Sequence, residues 1–309
     1  MRRRTALALA AALALTATGC ADPARNDPPA TGASSAAAAY PVTVGTVTLA
    51  ARPEKIISLS PTVTEMLFAI GAGPQVAAVD DQSTYPAGTP VTDLSGFKPN
   101  AESVASRQPD LVVLSTDTNR VVEQLTALKV PTFVAPAATT LDDTYRQITE
   151  LGALTGHPAE AAALTQRMKD DITKITAGLP QRAEPLSYYY ELDPTYYSVT
   201  SKTFVGSIMS SLGLQSVADA ADADNKAGGY PQLSQEALVG ADPDVIFLAD
   251  TKCCQQSAAT VKARKGWAGI TAVKTGQIVE LDDDIASRWG PRVVDLVRTV
   301  ADAVAKVPA

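Results

Sequence analysis

Asn100-Ala-Glu102-Ser-Val-Ala-Ser-Arg-Gln-Pro109-Asp110-Leu-Val-Val-Leu114 returns without a gap as Ser234-Gln-Glu236-Ala-Leu-Val-Gly-Ala-Asp-Pro243-Asp244-Val-Ile-Phe-Leu248. Each copy begins on a residue suited to cap a helix and places a glutamate two positions later, where a helix N-terminus favours negative charge. A short helix, Pro-Asp and a four-residue apolar strand follow. An internal repeat of a helix-strand unit predicts two similar α/β halves. Glu102 and Glu236 are then matching acidic knobs, one per half, that either stabilise their helix starts or meet a partner.

Working outward, short apolar runs alternate with helical patterns. Strands are expected at Ile56–Leu59, Val76–Val79, Leu111–Leu114 and Thr132–Ala135. Ser60 as N-cap and Pro61 at the first helical position open a helix to Ala69. Further helices are expected over Arg120–Leu128 and Leu141–Leu154. Beyond them Leu164, Met168, Ile172 and Ile175 recur at helical spacing across Pro158–Ala177. At 1.5 Å per residue such a helix spans roughly 30 Å, enough to bridge two lobes or to lie along one. Then come a strand at Ser187–Leu192, a helix at Thr203–Leu212, strands at Val245–Leu248 and Gln277–Glu280, and a terminal helix at Pro291–Val307. The chain reads as an N-terminal lobe (41–156), a bridging helix (157–180) and a C-terminal lobe (181–309), two α/β lobes with mostly parallel sheets and a ligand cleft between them.

Before the first lobe, Arg2, Arg3 and Arg4 precede an apolar run from Ala6 to Leu15 that is too short to span a bilayer. Residues 1–19 are an export signal, and Ala17-Thr18-Gly19-Cys20 resembles the small-residue site at which a bacterial lipoprotein is cleaved and its cysteine lipidated. Residues 20–40, rich in Ala, Pro, Ser and Asp, lack the apolar surface to order themselves and read as a flexible tether. The expected place is outside the cytoplasm, held to the membrane through lipid on Cys20. A net charge of −7 without a basic cluster argues against nucleic acid as partner. Of the three cysteines, Cys253 and Cys254 are adjacent. In an oxidising compartment they form a vicinal disulfide or remain two thiols. No metal site is expected, since the single histidine, His157, is remote from them.

Arg52-Pro-Glu-Lys-Ile-Ile-Ser-Leu-Ser-Pro61-Thr-Val-Thr-Glu65, Ser83-Thr-Tyr85-Pro86, the two Glu/Pro-Asp units and Ser287-Arg288-Trp289-Gly-Pro-Arg292 together resemble the periplasmic-binding family for iron siderophores, haem and vitamin B12. The resemblance covers about residues 50–305. It implies two α/β lobes on one long helix, a cleft that takes a metal chelate without a cofactor, and delivery to an ABC permease and its ATPase. Glu102 and Glu236 map onto the carboxylates that dock on the permease. The pattern is nearest to the family's cobalamin receptors, which puts Tyr85, Tyr230, Asp284 and Arg288 in the cleft; Tyr230 stands where those receptors have tryptophan.

The residues themselves suit a large chelate, because flat rings give rigid contact area while Asp and Arg orient by hydrogen bonds. Tyr196 and Tyr197 follow the first strand of the second lobe, at the sheet edge where open α/β folds bind ligands. Phe97 and Trp289 are further candidates for the lining. Tyr188–Tyr190 fall inside the strand and belong to the core. Arg288 is expected to face the cleft and Arg292 to pair within the fold, while Asp282–Asp284 read as a solvated acid run. An extracytoplasmic enzyme is the competing class, yet the sequence has no Gly-x-Ser-x-Gly elbow and no Walker loop, and Gly71-Ala-Gly73 follows a helix instead of a strand. A surface protein using the fold without transport is the other.

Overall fold

The computed structural model describes residues 39–308. The expected export signal (1–19), Cys20 and nearly all of the expected 20–40 tether lie outside the described residues.

The first lobe runs through a hairpin of β1 (Val42–Val44) and β2 (Val47–Leu49), then β3 (Ile56–Leu59), α1 (Pro61–Ala69), β4 (Val76–Val79), α2 (Ala101–Ala105), β5 (Leu111–Leu114), α3 (Val121–Ala127), β6 (Thr132–Val134) and α4 (Leu141–Thr155). After α5 (Pro158–Ala177) the second lobe holds β7 (Leu186–Glu191), α6 (Phe204–Ser211), β8 (Leu214–Ser216), α7 (Gln235–Ala241), β9 (Val245–Leu248), α8 (Ala258–Lys262), α9 (Thr271–Thr275), β10 (Ile278–Glu280), α10 (Asp283–Ala286) and α11 (Val293–Lys306). Both four-stranded sheets are parallel and share one topology, β4-β3-β5-β6 and β8-β7-β9-β10. The two repeat copies therefore occupy equivalent places, each supplying a central strand that is buried along its whole length, as parallel sheets covered on both faces require. The Pro-Asp aspartates do the same work twice. Asp110 accepts from the Glu54 and Lys55 amides at the entry to β3, and Asp244 accepts from the amide and hydroxyl of Ser187 in β7.

Most expected strands and helices lie within a residue or two of the observed ones. Ser60 stands at the N-cap of α1 but makes no side-chain cap bond, so Pro61 is the feature that starts this helix. The hairpin β1–β2 was not anticipated, although Val42-Thr-Val-Gly45-Thr-Val-Thr-Leu49 alternates with period two about a glycine at φ +55. The short elements β8, α8, α9 and α10 were also missed; they are too brief to show periodicity.

Tyr188, Tyr189 and Tyr190 are fully buried, as their strand position predicts. Alternate residues of each sheet point to different cores. Ile56, Val113, Tyr188, Tyr190 and Phe247 face one continuous apolar core that runs through both lobes. Ile57, Val112 and Leu114 face a second cluster outside the first sheet, while Tyr189, Ile246 and Leu248 face a third outside the second. The shared core is closed by α5, which packs on α4 and on α11. Its approach to α4 depends on Gly152, where a Cβ would stand 2.9 Å from the His157 carbonyl. His157 sits at the α5 N-cap position, where its Nε2 lies 2.8 Å from Arg52 and 3.1 Å from Gln75. Burial, then the neighbouring Arg52, lowers its pKa, so its role is structural and neutral.

A second tie joins the lobes at the segment before α11. Glu65, buried in α1, accepts from Arg288 at 2.8 Å and from Arg292 Nε at 3.0 Å. Trp289 was expected in the cleft lining. It turns instead to the lobe junction, where its Nε1 donates to Gln147 Oε1 and its carbonyl accepts from Thr144, both at 2.9 Å. Removing one member of a buried ion pair leaves an uncompensated charge, here Arg292, while Arg288 keeps only Asp284. Glu65→Gln should lower unfolding free energy by about 3–5 kcal/mol in denaturant titration, with thermal unfolding shifted in parallel. Unchanged stability would mean that the arginines find other partners.

The second lobe carries an unusual acid pair. Glu191, fully buried, takes two bonds from Arg264, at 2.6 and 2.5 Å. Asp250, also fully buried, has no partner for either carboxylate oxygen. Burial, then the neighbouring Glu191, pushes the Asp250 carboxyl up to about 7. Because this pKa is raised above its unfolded value, the protonated group contributes its full stability below about pH 4 and loses it as pH rises through 7. Asp250→Asn, which keeps the shape without the charge, should gain about 2–4 kcal/mol over wild type between pH 4 and pH 8. Denaturant unfolding of both proteins at the two pH values measures this, and a difference that does not change with pH would contradict it.

Candidate ligand-binding cleft

In a parallel sheet the loops that leave the carboxyl ends of the strands share one edge, and there the sequence places most of its exposed rings. Tyr85 and Phe97 lie on the long loop after β4. Tyr197 follows β7 and Tyr230 precedes α7. With exposures of 45%, 75%, 40% and 49%, respectively, these four make up most of the exposed large apolar side chains among the described residues. Rings in open solvent cost free energy unless something covers them, so the concentration of them at one edge marks a contact surface.

Tyr85 is brought against the other lobe, with the Arg292 guanidinium 4.2 Å from its ring centroid, a cation–π contact. From there a chain of charges runs from the first lobe into the second. Arg292 pairs with Glu65, Glu65 with Arg288, Arg288 with Asp284 at 2.9 Å, and Asp284 with Lys252 at 2.9 Å. Arg288 was expected to face the cleft, where its guanidinium could pair with oxygens of a chelate. Its side chain is instead nearly buried and engaged by Glu65, Asp284 and the Gln82 carbonyl. Arg292 pairs within the fold as expected and also backs Tyr85.

The acid run is built into the loop and is not simply solvated. Asp282 caps α10 through the Asp284 and Ile285 amides and receives Lys252 Nζ at 2.8 Å. Asp283 collects the amides of Thr251, Lys252 and Cys253 at 2.9–3.0 Å. Burial raises both acids, but these donors outweigh it and hold them below the usual carboxylate range. The loop that Asp283 gathers carries Cys253 and Cys254, which stand as a vicinal disulfide. Tyr230 belongs to the same region: with Tyr188 and Asp283 it is among the neighbours that, after burial, raise the pKa of Tyr190, whose hydroxyl donates to the Ala286 carbonyl.

Tyr196 and Tyr197 part company. Tyr196, with φ +71, packs its ring on Trp267 at 5.8 Å within the outer core of the second lobe, so it does not line a cleft. Tyr197 remains exposed. Beside Phe97 a hollow of about 180 Å³ opens at the ends of β3, β4 and β5, lined by Leu59, Asp80, Gln82, Ser115 and Thr118. A larger groove of about 310 Å³, lined by Leu179, Arg182 and Leu212, lies at the opposite, amino end of the second sheet. Among the described residues no group of three His, Cys, Asp or Glu is placed to hold a metal ion.

Glu102 and Glu236 are exposed at the second position of α2 and α7, behind Asn100 and Ser234, which accept from the Ser103 and Ala237 amides. Helices that connect parallel strands run back against them, so both glutamates lie toward the strand carboxyl edges. Sequence reading did not find Glu65, Asp80 or Lys252. Glu65 had a signal, since a carboxylate among the apolar residues of α1 needs a buried partner.

The periplasmic binding protein family matches residues 56–285 of the chain. A cobalamin-binding protein of Halobacterium salinarum is 31% identical, over 98% of this chain and 85% of its own. An uncharacterized ABC transporter substrate-binding lipoprotein of Bacillus subtilis is 29% identical, over 93% of this chain and 92% of its own. Among solved structures, the periplasmic vitamin B12 binding protein of Vibrio cholerae superposes with a TM-score of 0.67 at 25% identity, covering 82% of this chain and 96% of that one. With paired parallel sheets, a shared helical core and rings gathered at one edge, this chain belongs to the periplasmic binding protein family.

Proposed function

We propose that this chain is the capture component of an ABC importer, a lipoprotein that takes a corrinoid or related metal chelate from outside the cytoplasm and hands it to a permease. The observation that carries this reading is the pairing of near-full-length likeness to a cobalamin-binding protein with exposed Tyr85 and Tyr230 on loops of different lobes. An iron(III) siderophore or haem is the neighbouring alternative in the same cleft. Asp284 and Arg288 act in this reading as the floor of the site, held in place before ligand arrives, which lowers the ordering cost of binding. The family is one of binding proteins, and capture without turnover is the expected behaviour. Titration of the purified protein with cyanocobalamin, haemin and ferric siderophores, followed by absorbance and tyrosine fluorescence, should show cyanocobalamin bound tightest. Tyr85→Ala and Tyr230→Ala should each weaken it by about 1 kcal/mol or more without loss of fold stability. Unaltered affinity in both variants would remove these rings from the site.

Delivery is separable from capture. Glu102 and Glu236, held at matching helix starts on the two lobes, are suited to meet two basic residues of a permease and set its orientation. The doubly reversed variant Glu102→Lys, Glu236→Lys should keep ligand affinity and thermal stability but fail to support uptake in cells with the cognate permease. In the same cells, Cys20→Ser should release the protein from the membrane fraction. Uptake at the unmodified rate would reduce the two glutamates to helix-start stabilisers, and retention of the Cys20→Ser protein in membranes would exclude the lipid tether.

A further inference from the structure

The charges of the cleft floor close on themselves. Arg288, Arg292 and Lys252 are engaged by Glu65, Asp284 and Asp282, three cationic groups against three carboxylates. Asp80 stands outside this balance. It directly follows β4, is 3% exposed and forms no salt bridge. Its recorded donors are the Gln82 amide, at 3.2 Å to Oδ1, and Ser83. The neighbouring Ser83 hydroxyl also lies 2.9 Å from that of Thr64. Asp80 lines the 180 Å³ hollow beside Phe97, whose other polar walls are Gln82, Ser115, Thr116 and Thr118, with no basic side chain among them. The hollow is too small for a chelate and large enough for one arm of it. It is joined to the cleft floor through Gln82, whose carbonyl accepts from Arg288.

Its shape depends on Gly96. A Cβ there would come within 2.6 Å of Asp80 Oδ2 and 2.8 Å of the Leu59 carbonyl, so only glycine lets this loop close over the carboxylate. A desolvated carboxylate held only by Ser83 and the Gln82 amide, with neutral hydroxyls around it, is an acceptor site; burial raises its pKa, with Asp81 adding to the rise, and those donors only partly oppose it. An anionic arm placed there would meet like charge with no cation to offset it.

We propose that Asp80 and the hollow beneath Phe97 form a specificity subsite that takes a neutral or cationic hydrogen-bond-donating arm of the ligand, such as a primary amide, and rejects a carboxylate. The inference rests on the chelate-capturing reading and narrows it to ligands whose rim carries donors in place of acids. Cyanocobalamin, with its ring of amide arms, and its isomeric monocarboxylates, in which one amide is hydrolysed, are the probes. Wild-type protein should bind at least one monocarboxylate isomer about tenfold or more weakly than the parent, since a group built to receive a donor is left facing a carboxylate. Asp80→Asn, nearly isosteric and able to donate as well as accept, should erase that difference between parent and monocarboxylate, whatever its affinity for the parent. Equal binding of every isomer by the wild type, a measurement that needs no variant, would overturn the subsite, as would discrimination that survives in Asp80→Asn. Either result with cyanocobalamin still captured leaves the importer reading intact. Capture of haemin, with its two propionates, in preference to every corrinoid would overturn the inference and the corrinoid reading together.

Discussion

The structure depends on one buried carboxylate that faces two guanidiniums across a lobe boundary. Glu65 comes from the first helix of the first lobe, Arg288 and Arg292 from the segment that leads into the last helix of the second. Each partner is nearly withdrawn from water, so each is costly without the others and the three are retained as a unit. The unit fixes where α11 begins, places Arg292 over Tyr85 and leaves Arg288 one edge for Asp284. Local sheet geometry builds each lobe, but this contact sets one against the other and so shapes what lies between them.

The shared apolar core reinforces that constraint. Lobes that meet only through a linker are free to swing, whereas these lobes are packed through α4, α5 and α11 as parts of one close-packed interior. Opening them widely would expose that interior and break the Glu65 pairs at the same time. A receptor built this way meets its ligand with rings and charges already set, and affinity comes from complementarity more than from closure. In the proposed delivery step rigidity would also serve docking, because Glu102 and Glu236 on different lobes present a fixed spacing only if the lobes hold still.

Electrostatic restraint is the counterpart of this rigidity. Arg288, Arg292 and Lys252 are already engaged by Glu65, Asp282 and Asp284, so an anion arriving at the proposed site would gain little from them. What remains accessible is aromatic surface and hydrogen-bonding groups at the strand ends. The second lobe also keeps Asp250 buried without a hydrogen-bond partner for its carboxylate, near the Glu191–Arg264 pair, a local cost in stability.

By itself the sequence determined the parts. The repeated Glu/Pro-Asp units, the four-residue apolar runs and the helical spacing over Pro158–Ala177 are local patterns, and local patterns are set by backbone period and burial, which one strand or helix expresses alone. The family motifs added the order of the lobes and the positions of Tyr85, Tyr230, Asp284 and Arg288. Tertiary structure decided what those side chains touch. Trp289 and Tyr196, aromatic and beside the cleft in sequence, went to the lobe junction and the outer core, and Arg288 went to Glu65, a residue 223 positions away. Asp80 was legible only as a residue after a strand, until Gly96 closed a loop over it. Contacts between residues far apart in the chain carry no periodic signal, because they are fixed by how whole elements pack and by which buried charges must find each other.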